Sequence, residues 1–351
     1  FPFSDICAKY GLNSDLTFAY QAELSDDYPI GDTIARGHDL SLDMAKMPLL
    51  ILGALALGLL FPDQIGLLCP AVSALMMFQT FANSLGSSVQ DLARVLSHPK
   101  PVLVIMLTLH ILMPLLALGI GSLCFPSQPL YTLSLVLLEA SPAAVSALMW
   151  AVVGSGSVEL CLSIILLDTM LSPIILPLTI RILCGSVVAL DTAGMMKELL
   201  IMIVIPAAAS MLLCRVAGKE ACTRGKQFLS PFSKLALLTI ICANVTRCAP
   251  FLRDLNGELI VLIVLTLLMR IIGLLVGCLL SKLLRFQYPV ELTVAVNSSM
   301  RNNAAAATIA AQYFPSEVVF SPSVSPLFSQ FTISLAVQIM QKRQAAKEKS
   351  N

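Results

Sequence analysis

Long uninterrupted apolar runs are the feature of this sequence that most constrains its fold. A helix needs about 20 mostly apolar residues to cross a hydrocarbon core of roughly 30 Å, and the chain offers ten candidate runs. Every backbone amide inside lipid must find its partner within the protein, so a spanning segment is a helix or a strand of a closed barrel. The runs lack the alternating pattern of barrel strands. The sequence therefore predicts an all-α polytopic membrane protein.

Composition points to the same class of protein. Apolar residues make up 57% of the 351 residues and charged residues only 12%, whereas a soluble domain carries about a quarter charged residues. The mean hydropathy of +0.86 also indicates that lipid is the solvent for most of the chain.

The ten runs fall into two sets of five, which predicts two five-helix repeats, 46–183 and 184–341. The predicted spans are 47–61, 65–82, 101–125, 130–153 and 158–183 in the first repeat, and 199–216, 229–245, 259–284, 290–314 and 318–340 in the second. An acidic tail, 1–45, precedes the first repeat, and a basic tail, 342–351, follows the second.

The distribution of lysine and arginine predicts the orientation in the membrane. When ten spans are threaded, most of these residues fall on the side of the N-terminus, from Lys46 to Lys349. Arg181, Lys197 and two further arginines fall on the opposite side. Short cytoplasmic loops carry the positive excess, so we expect both termini in the cytoplasm, in a plasma or inner membrane.

Two of the runs carry polar residues where a structural membrane helix would carry apolar ones. The fourth run contains Glu139-Ala-Ser-Pro-Ala-Ala-Val-Ser146, and the ninth contains Asn297-Ser-Ser-Met-Arg-Asn-Asn303. Helices that are interrupted at equivalent places in two halves are typical of inverted repeats with a binding site near the membrane midplane. Pro142 interrupts the first helix, and serine and asparagine can bond freed backbone in the second. We therefore expect two crossed, broken helices.

These segments resemble the crossing motifs of the bile acid:sodium symporter family. Met300-Arg-Asn-Asn-Ala-Ala-Ala306 is similar to the family's Gly-x-Arg-Asn or Gly-x-Gln-Asn motif with its small residues, and Ser141-Pro-Ala-Ala is similar to its Cys-Pro-Gly-Gly. Gly156-Ser-Val-Glu-Leu resembles the following helix start. The resemblance extends from Lys46 onward, and it identifies the chain as a divergent member of the family.

The resemblance implies a core domain, which holds the fourth and ninth helices, beside a panel domain, with alternating access between them. It implies transport of amphipathic or small organic anions, such as bile acids, pantothenate or keto acids, together with sodium. The candidate substrate-binding residues are those of the two crossing segments and one asparagine that ends the seventh span: Pro142, Ser146, Asn244, Asn297, Ser298, Ser299, Arg301, Asn302 and Asn303.

The sequence departs from the family pattern where sodium would bind. Ala147 and Leu148 stand in place of Ser-Asn, and Cys161 and Ile165 stand in place of Ser and Thr on the fifth helix. The ninth helix has Asn297 in place of an acidic residue and Arg301 in place of glutamine. Sodium, as a hard cation, needs oxygen ligands, so these changes argue against two-sodium coupling.

Arg301 allows two interpretations. Its guanidinium offers a fixed positive charge and a fork that fits a carboxylate, with Glu139 or Asp168 as the counter-charge in the empty site and as a proton acceptor during transport. Alternatively, Arg301 pairs permanently with Asp168 and replaces a structural ion. The candidate residues for coupling to an ion or a proton are Glu139, Asp168, Thr169 and His110. Arg270, in the eighth span, ranks below the crossing residues.

Other functions remain open alternatives. The first is a cation/proton antiporter of the related inverted-repeat fold, with Asp168 as its exchanging carboxylate, and the second is a membrane sensor that does not transport. The ten cysteines form no CxxC pair, and His38, His98 and His110 are scattered, so no metal site and no cofactor beyond a coupling sodium ion or proton is expected. The expected partners are an organic anion and the lipid bilayer, without nucleic acid, and the sequence does not indicate an oligomeric state.

Overall fold

A computed structural model describes residues 49–86, 99–188, 191–253 and 255–350. In chain order its main helices are α1 Leu49–Leu60, α2 Pro62–Ser84, α3 Pro99–Cys124, α4 Pro129–Ala140, α5 Ser146–Val153, α6 Val158–Cys184, α7 Thr192–Ala217, α8 Lys219–Val245, α9 Gly257–Leu283, α10 Tyr288–Ser299, α11 Asn303–Tyr313 and α12 Phe320–Ser350. The predicted acidic tail, 1–45, lies outside the described residues, as do His38 and His98.

Helices of membrane-spanning length confirm an integral, helical membrane protein. Seven helical runs in the described ranges are long and apolar enough to cross a bilayer, and they contain α2, α3, α6, α7, α8, α9 and α12. The apolar helices α1 and α4 are shorter. The fourth and ninth predicted runs are each divided into two short helices, α4 with α5 and α10 with α11. The total of ten spans and the inverted relation of the two halves stay predictions.

Two spans begin earlier than the sequence predicts. α7 starts at Thr192 rather than at residue 199, and α8 starts at Lys219 rather than at residue 229. The extra turns contain Lys197 and Arg224. A charged residue ends the apolar run from which a span is predicted, but it does not end the helix. Asp191 caps α7 by accepting the backbone N–H of Gly194 at 2.9 Å, because a helix start leaves its first N–H groups without intrahelical partners.

The two interrupted helices meet at their breaks. The backbone is extended at Ser141 and at Met300, and an isolated antiparallel bridge joins Ala143 to Arg301. The N–H of Asn302 donates to the carbonyl of Pro142 at 2.8 Å. Unwound backbone inside a membrane needs such partners, because lipid offers none. Each break therefore satisfies the backbone of the other.

Two glycines let α9 approach α10 closely behind the crossing. A Cβ at position 273 would lie 2.5 Å from the carbonyl oxygen of Ser298, and a Cβ at position 277 would lie 2.6 Å from the Cα of Ala295. Both contacts are with backbone, which cannot rotate away. Small residues at such a spacing are a common device for close packing between membrane helices.

We predict that Gly277→Ala destabilises the protein because the added methyl group would separate α9 from α10. Overpacking of this kind costs about 1–3 kcal/mol, which would lower the melting temperature of the purified protein in detergent by several degrees. Gly119→Ala is the matched control, because a Cβ there meets nothing within 4 Å. Equal melting temperatures for the two variants would contradict the close approach.

Candidate functional site

A buried cluster of three charged side chains lies beside the crossing. Glu139, one residue before the end of α4, contacts Nη2 of Arg270 through Oε1, and its Oε2 lies 3.5 Å from Nε of Arg301. None of the three residues is more than 1% exposed. Charges taken out of water are stable only when they are paired and hydrogen-bonded. The glutamate therefore holds two arginines from separate parts of the chain.

Arg270 is also bonded to the backbone of the ninth predicted span. Its Nη1 donates to the carbonyl of Ser299, and the Ser299 hydroxyl donates to the carbonyl of Arg270 at 2.8 Å. This reciprocal pair joins the middle of α9 to the last residue of α10. Ser299, a predicted substrate ligand, thus bonds to α9 in this structure.

Arg301 makes fewer contacts than its five donors allow. Its Nη1 donates to the carbonyl of Asn297 at 3.4 Å, while its Nη2 has no hydrogen-bond partner among the described residues. Of the two counter-charges predicted for Arg301, the structure places Glu139 in contact with it. Asp168 has different partners.

Asp168, in the middle of α6, connects α3 to the crossing backbone. One carboxylate oxygen lies 2.8 Å from Nε2 of His110, and the other accepts the backbone N–H of Ala143 at 2.6 Å. His110 lies in a π-helical turn, Thr108–Leu112, just before Pro114. Such turns insert one extra residue into a helix, often at functional sites.

A small cavity of about 10 Å³ lies beside α11, close to the size of one water molecule. We call it the polar cavity because two asparagines and one serine interrupt its otherwise apolar wall. Asn244 donates to the hydroxyl of Thr308 at 3.0 Å, and Asn303 donates to Ser329 at 3.5 Å. The lining residues are Ile241, Asn244, Asn303, Ala304, Ala307, Pro322, Ser323 and Pro326. Two predicted site residues, Asn244 and Asn303, are therefore brought together.

Ser323 also borders a second, apolar cavity of about 120 Å³. Its wall is formed by side chains of α1, α8, α9 and α12 and by Leu252, which follows α8. The lining residues are Leu55, Leu59, Val245, Leu252, Ile263, Ser323, Val324, Leu327 and Phe328. A polar cavity and an apolar cavity thus share one wall residue.

The remaining predicted site residues have local structural contacts. Asn302 caps α11 by accepting the N–H of Ala305 at 3.1 Å. The amide of Asn297 donates to the carbonyl of Thr293 at 2.9 Å and lies 3.3 Å from the sulfur of Cys161. Ser298 and Pro142 are buried, Ser146 begins α5, and Thr169 is half-buried on α6. The described residues contain no group of three or more His, Cys, Asp or Glu that could hold a metal ion.

Sequence reasoning ranked Arg270 below the crossing residues, yet the structure places it inside the charged cluster. The sequence does carry a signal for Arg270, because an arginine in the middle of an apolar span is by default a functional candidate that needs a partner. Its partner lies 131 positions earlier in the chain, which no local pattern indicates. Ser323 was missed for a similar reason.

The chain matches a known family of membrane transporters. The sequence model of the Sodium Bile acid symporter family covers residues 71–252, more than half of the chain. The chain belongs to this family. Membership confirms the family that the sequence predicts, and it makes the protein a transporter rather than an enzyme.

Relatives of this family member occur in bacteria and plants. Uncharacterized protein YbaS of Bacillus subtilis is 36% identical over 289 residues, which cover 82% of this chain and 94% of that protein. Uncharacterized sodium-dependent transporter YocS of the same bacterium is 21% identical over 84% of this chain and 92% of its own length. Probable sodium/metabolite cotransporter BASS2, chloroplastic, of Oryza sativa subsp. japonica is 23% identical over 70% of this chain and 58% of that protein.

We predict that Glu139→Gln destabilises the family member more than Arg270→Gln does. Glu139→Gln leaves two buried guanidinium groups without a carboxylate, whereas Arg270→Gln leaves one Glu139–Arg301 pair. Removing one partner from a buried ion pair costs about 3–5 kcal/mol. Melting temperatures in detergent, with the exposed Arg285→Gln as control, measure the difference. A smaller loss for Glu139→Gln would contradict the shared carboxylate.

Proposed function

We propose that this protein is a secondary transporter that moves a small or amphipathic organic anion by alternating access. The observation that carries the proposal is the buried cluster in which Arg270 and Arg301 share the carboxylate of Glu139. These three side chains carry one positive charge in excess, which the buried carboxylate of Asp168, bonded to other partners, balances in the empty site as a whole. An anion beside the cluster would be attracted and a cation repelled, and both effects are strong where water is excluded.

The broken helices give further support for an anionic substrate. α5 and α11 both begin next to the crossing segments, at Ser146 and Asn303. A helix N-terminus carries a partial positive charge and free N–H groups, and transporters with broken helices use these ends to hold anionic groups. The two half-helices therefore add to the positive potential of the arginines.

The polar cavity at Asn244 and Asn303 marks the proposed contact with the substrate; at about 10 Å³ it has the size of one water molecule and would have to widen to admit an anion. Amide side chains can donate to a carboxylate without adding charge, and the donors here are the Nδ2 groups of Asn244 and Asn303, which in this structure donate to Thr308 and Ser329. The neighbouring apolar cavity would accept an apolar part of an amphipathic anion. Arg301 is buried and would attract the anion through its charge rather than by direct contact.

The proposal also concerns the ion whose movement is coupled to transport. The family and the names of the relatives support a sodium-coupled transporter. The side chains at the crossing support a fixed positive charge in place of a bound sodium ion. A guanidinium occupies position 301, and the amide of Asn297 is directed at the sulfur of Cys161. We propose that the arginines replace bound sodium and that two-sodium coupling is lost.

The antiporter alternative has less support. It needs a membrane aspartate that is free to exchange a cation for a proton. Both oxygens of Asp168 have partners, His110 and the N–H of Ala143.

For the membrane arrangement we retain the proposal that both termini are cytoplasmic, in a plasma or inner membrane. In the same proposal, repeats 46–183 and 184–341 together form a core domain, which holds the fourth and ninth predicted helices, beside a panel domain.

Uptake into proteoliposomes tests the proposal. Radiolabelled pyruvate, pantothenate and a bile acid are offered with a sodium gradient or a pH gradient imposed separately. We expect accumulation of at least one anion without sodium. Arg301→Gln should reduce the rate about tenfold or more, because about 1.4 kcal/mol of lost stabilisation corresponds to a factor of ten.

Two matched variants complete this experiment. Arg301→Lys keeps the charge and loses the fork, so it should retain part of the rate, and the exposed Arg285→Gln should behave as wild type. Strict sodium dependence together with an active Arg301→Gln variant would overturn the replacement of sodium by arginine.

A change of charge in the polar cavity tests the sign of the substrate. Asn303→Asp keeps the size of the side chain and adds a negative charge, so we expect the KM for the transported anion to rise about tenfold through repulsion. Asn303→Ala should raise it less, because it removes one hydrogen bond only. A KM for the anion that is unchanged or lower in Asn303→Asp would contradict the binding of a negatively charged group at this position.

A further inference from the structure

The net charge buried in this protein depends on more residues than the cluster of Glu139, Arg270 and Arg301. The charged side chains that are buried in the described part of the chain are Glu139, Asp168, Arg270 and Arg301. Two are negative and two are positive, so the site is neutral when His110 is neutral. Neutrality of the empty site is expected, because uncompensated charge is costly inside a membrane protein.

His110 is the group that can change this balance. Its side chain is 8% exposed, and that of Asp168 is fully buried. An ionised carboxylate only accepts hydrogen bonds, so the ring donates from Nε2 to Asp168 across 2.8 Å. The other ring nitrogen of the neutral form, Nδ1, is then an acceptor. It is buried, and the described residues offer it no partner.

The other groups that face this site are less suited to take a proton. Glu139 lies on α4, which packs against the turn that carries His110, but protonating it would leave Arg270 and Arg301 without their shared carboxylate. Both oxygens of Asp168 already accept hydrogen bonds. Protonation of Asp168 would also weaken its bond to Ala143 at the crossing. A proton on Nδ1 breaks no contact and turns the existing hydrogen bond into an ion pair.

We propose that the His110–Asp168 pair is the proton-binding site of this transporter and that one proton on His110 enters with one monovalent anion. The inference rests on the proposed function and adds its coupling ion. A proton on Nδ1 raises the charge of the site from zero to one, and one monovalent anion restores neutrality. Each ligand therefore favours binding of the other, because coupling between two sites is reciprocal.

The same residues connect proton binding to the crossing. Asp168 accepts from His110 with one oxygen and from the backbone N–H of Ala143 with the other. Ala143 forms the bridge to Arg301. A change of charge on His110 thus reaches the segment beside the substrate cavity through two hydrogen bonds and one backbone bridge.

The first test measures coupling in the wild-type protein. Proteoliposomes with an alkaline interior receive radiolabelled pyruvate or pantothenate at zero potential and at a clamped negative interior potential. We expect the same accumulation at both potentials, because proton and anion together carry no charge. His110→Gln should abolish accumulation driven by the pH gradient. Thr108→Ala, whose hydroxyl bonds to its own helix at Val104, should behave as wild type.

The results distinguish the two proposals. Accumulation that persists in His110→Gln, or that changes with potential in wild type, would overturn the proton site and leave anion transport intact. If wild type accumulates none of the anions, the proposed function fails, and a second measurement still decides the proton site.

That second measurement follows the proton itself. Nitrogen NMR of protein with isotope-labelled histidine in lipid nanodiscs reports the protonation of each ring, and the His110→Gln spectrum assigns the signal of His110. We expect a neutral ring with its proton on Nε2 in alkaline buffer and a second proton on Nδ1 when the protein is transferred to acidic buffer. A ring that stays neutral in acidic buffer, or whose single proton in alkaline buffer is on Nδ1, would overturn the proposal.

Discussion

The carboxylate of Glu139 is the interaction on which the rest of the site depends. It is buried between Arg270 and Arg301, and its removal would leave two buried guanidinium charges without the carboxylate that they contact. Glu139 comes from the first predicted repeat and both arginines come from the second. The charged cluster therefore joins the two halves of the chain at the point where their broken helices meet.

The crossing gives the unwound backbone of each broken helix its hydrogen-bond partners. Each break frees N–H and carbonyl groups that lipid cannot satisfy, and the two breaks bond to each other through Ala143, Arg301, Pro142 and Asn302. Asp168 adds a carboxylate acceptor at the same place. Close approach requires small residues, which the alanines of both segments and the glycines of α9 provide. Polar chemistry and tight packing thus occur together in this part of the structure.

A tethered positive charge differs from a bound sodium ion in one physical respect: it cannot leave. A sodium ion that binds and dissociates links the conformational cycle to a gradient, whereas an arginine stabilises the crossing in every state. If the arginines replace sodium, as we propose, the energy of transport has to come from another group that changes its charge. The His110–Asp168 pair is the one we propose for that purpose, because it is buried, has a ring nitrogen without a partner in the described part of the chain and bonds directly to the crossing.

The sequence by itself determined the class of the protein, the family and the places where two helices break. Apolar runs of spanning length leave few alternatives in lipid, Pro142 cannot continue a helix ladder, and the two interrupted segments resemble motifs of the family to which the chain belongs. Only the tertiary structure decided which charges pair. Glu139 contacts Arg270 and Arg301, Asp168 contacts His110, and Asn244 shares a cavity with Asn303. These partners lie on helices far apart in the chain, and helix packing, which hydropathy and local motifs do not encode, decides which side chains meet.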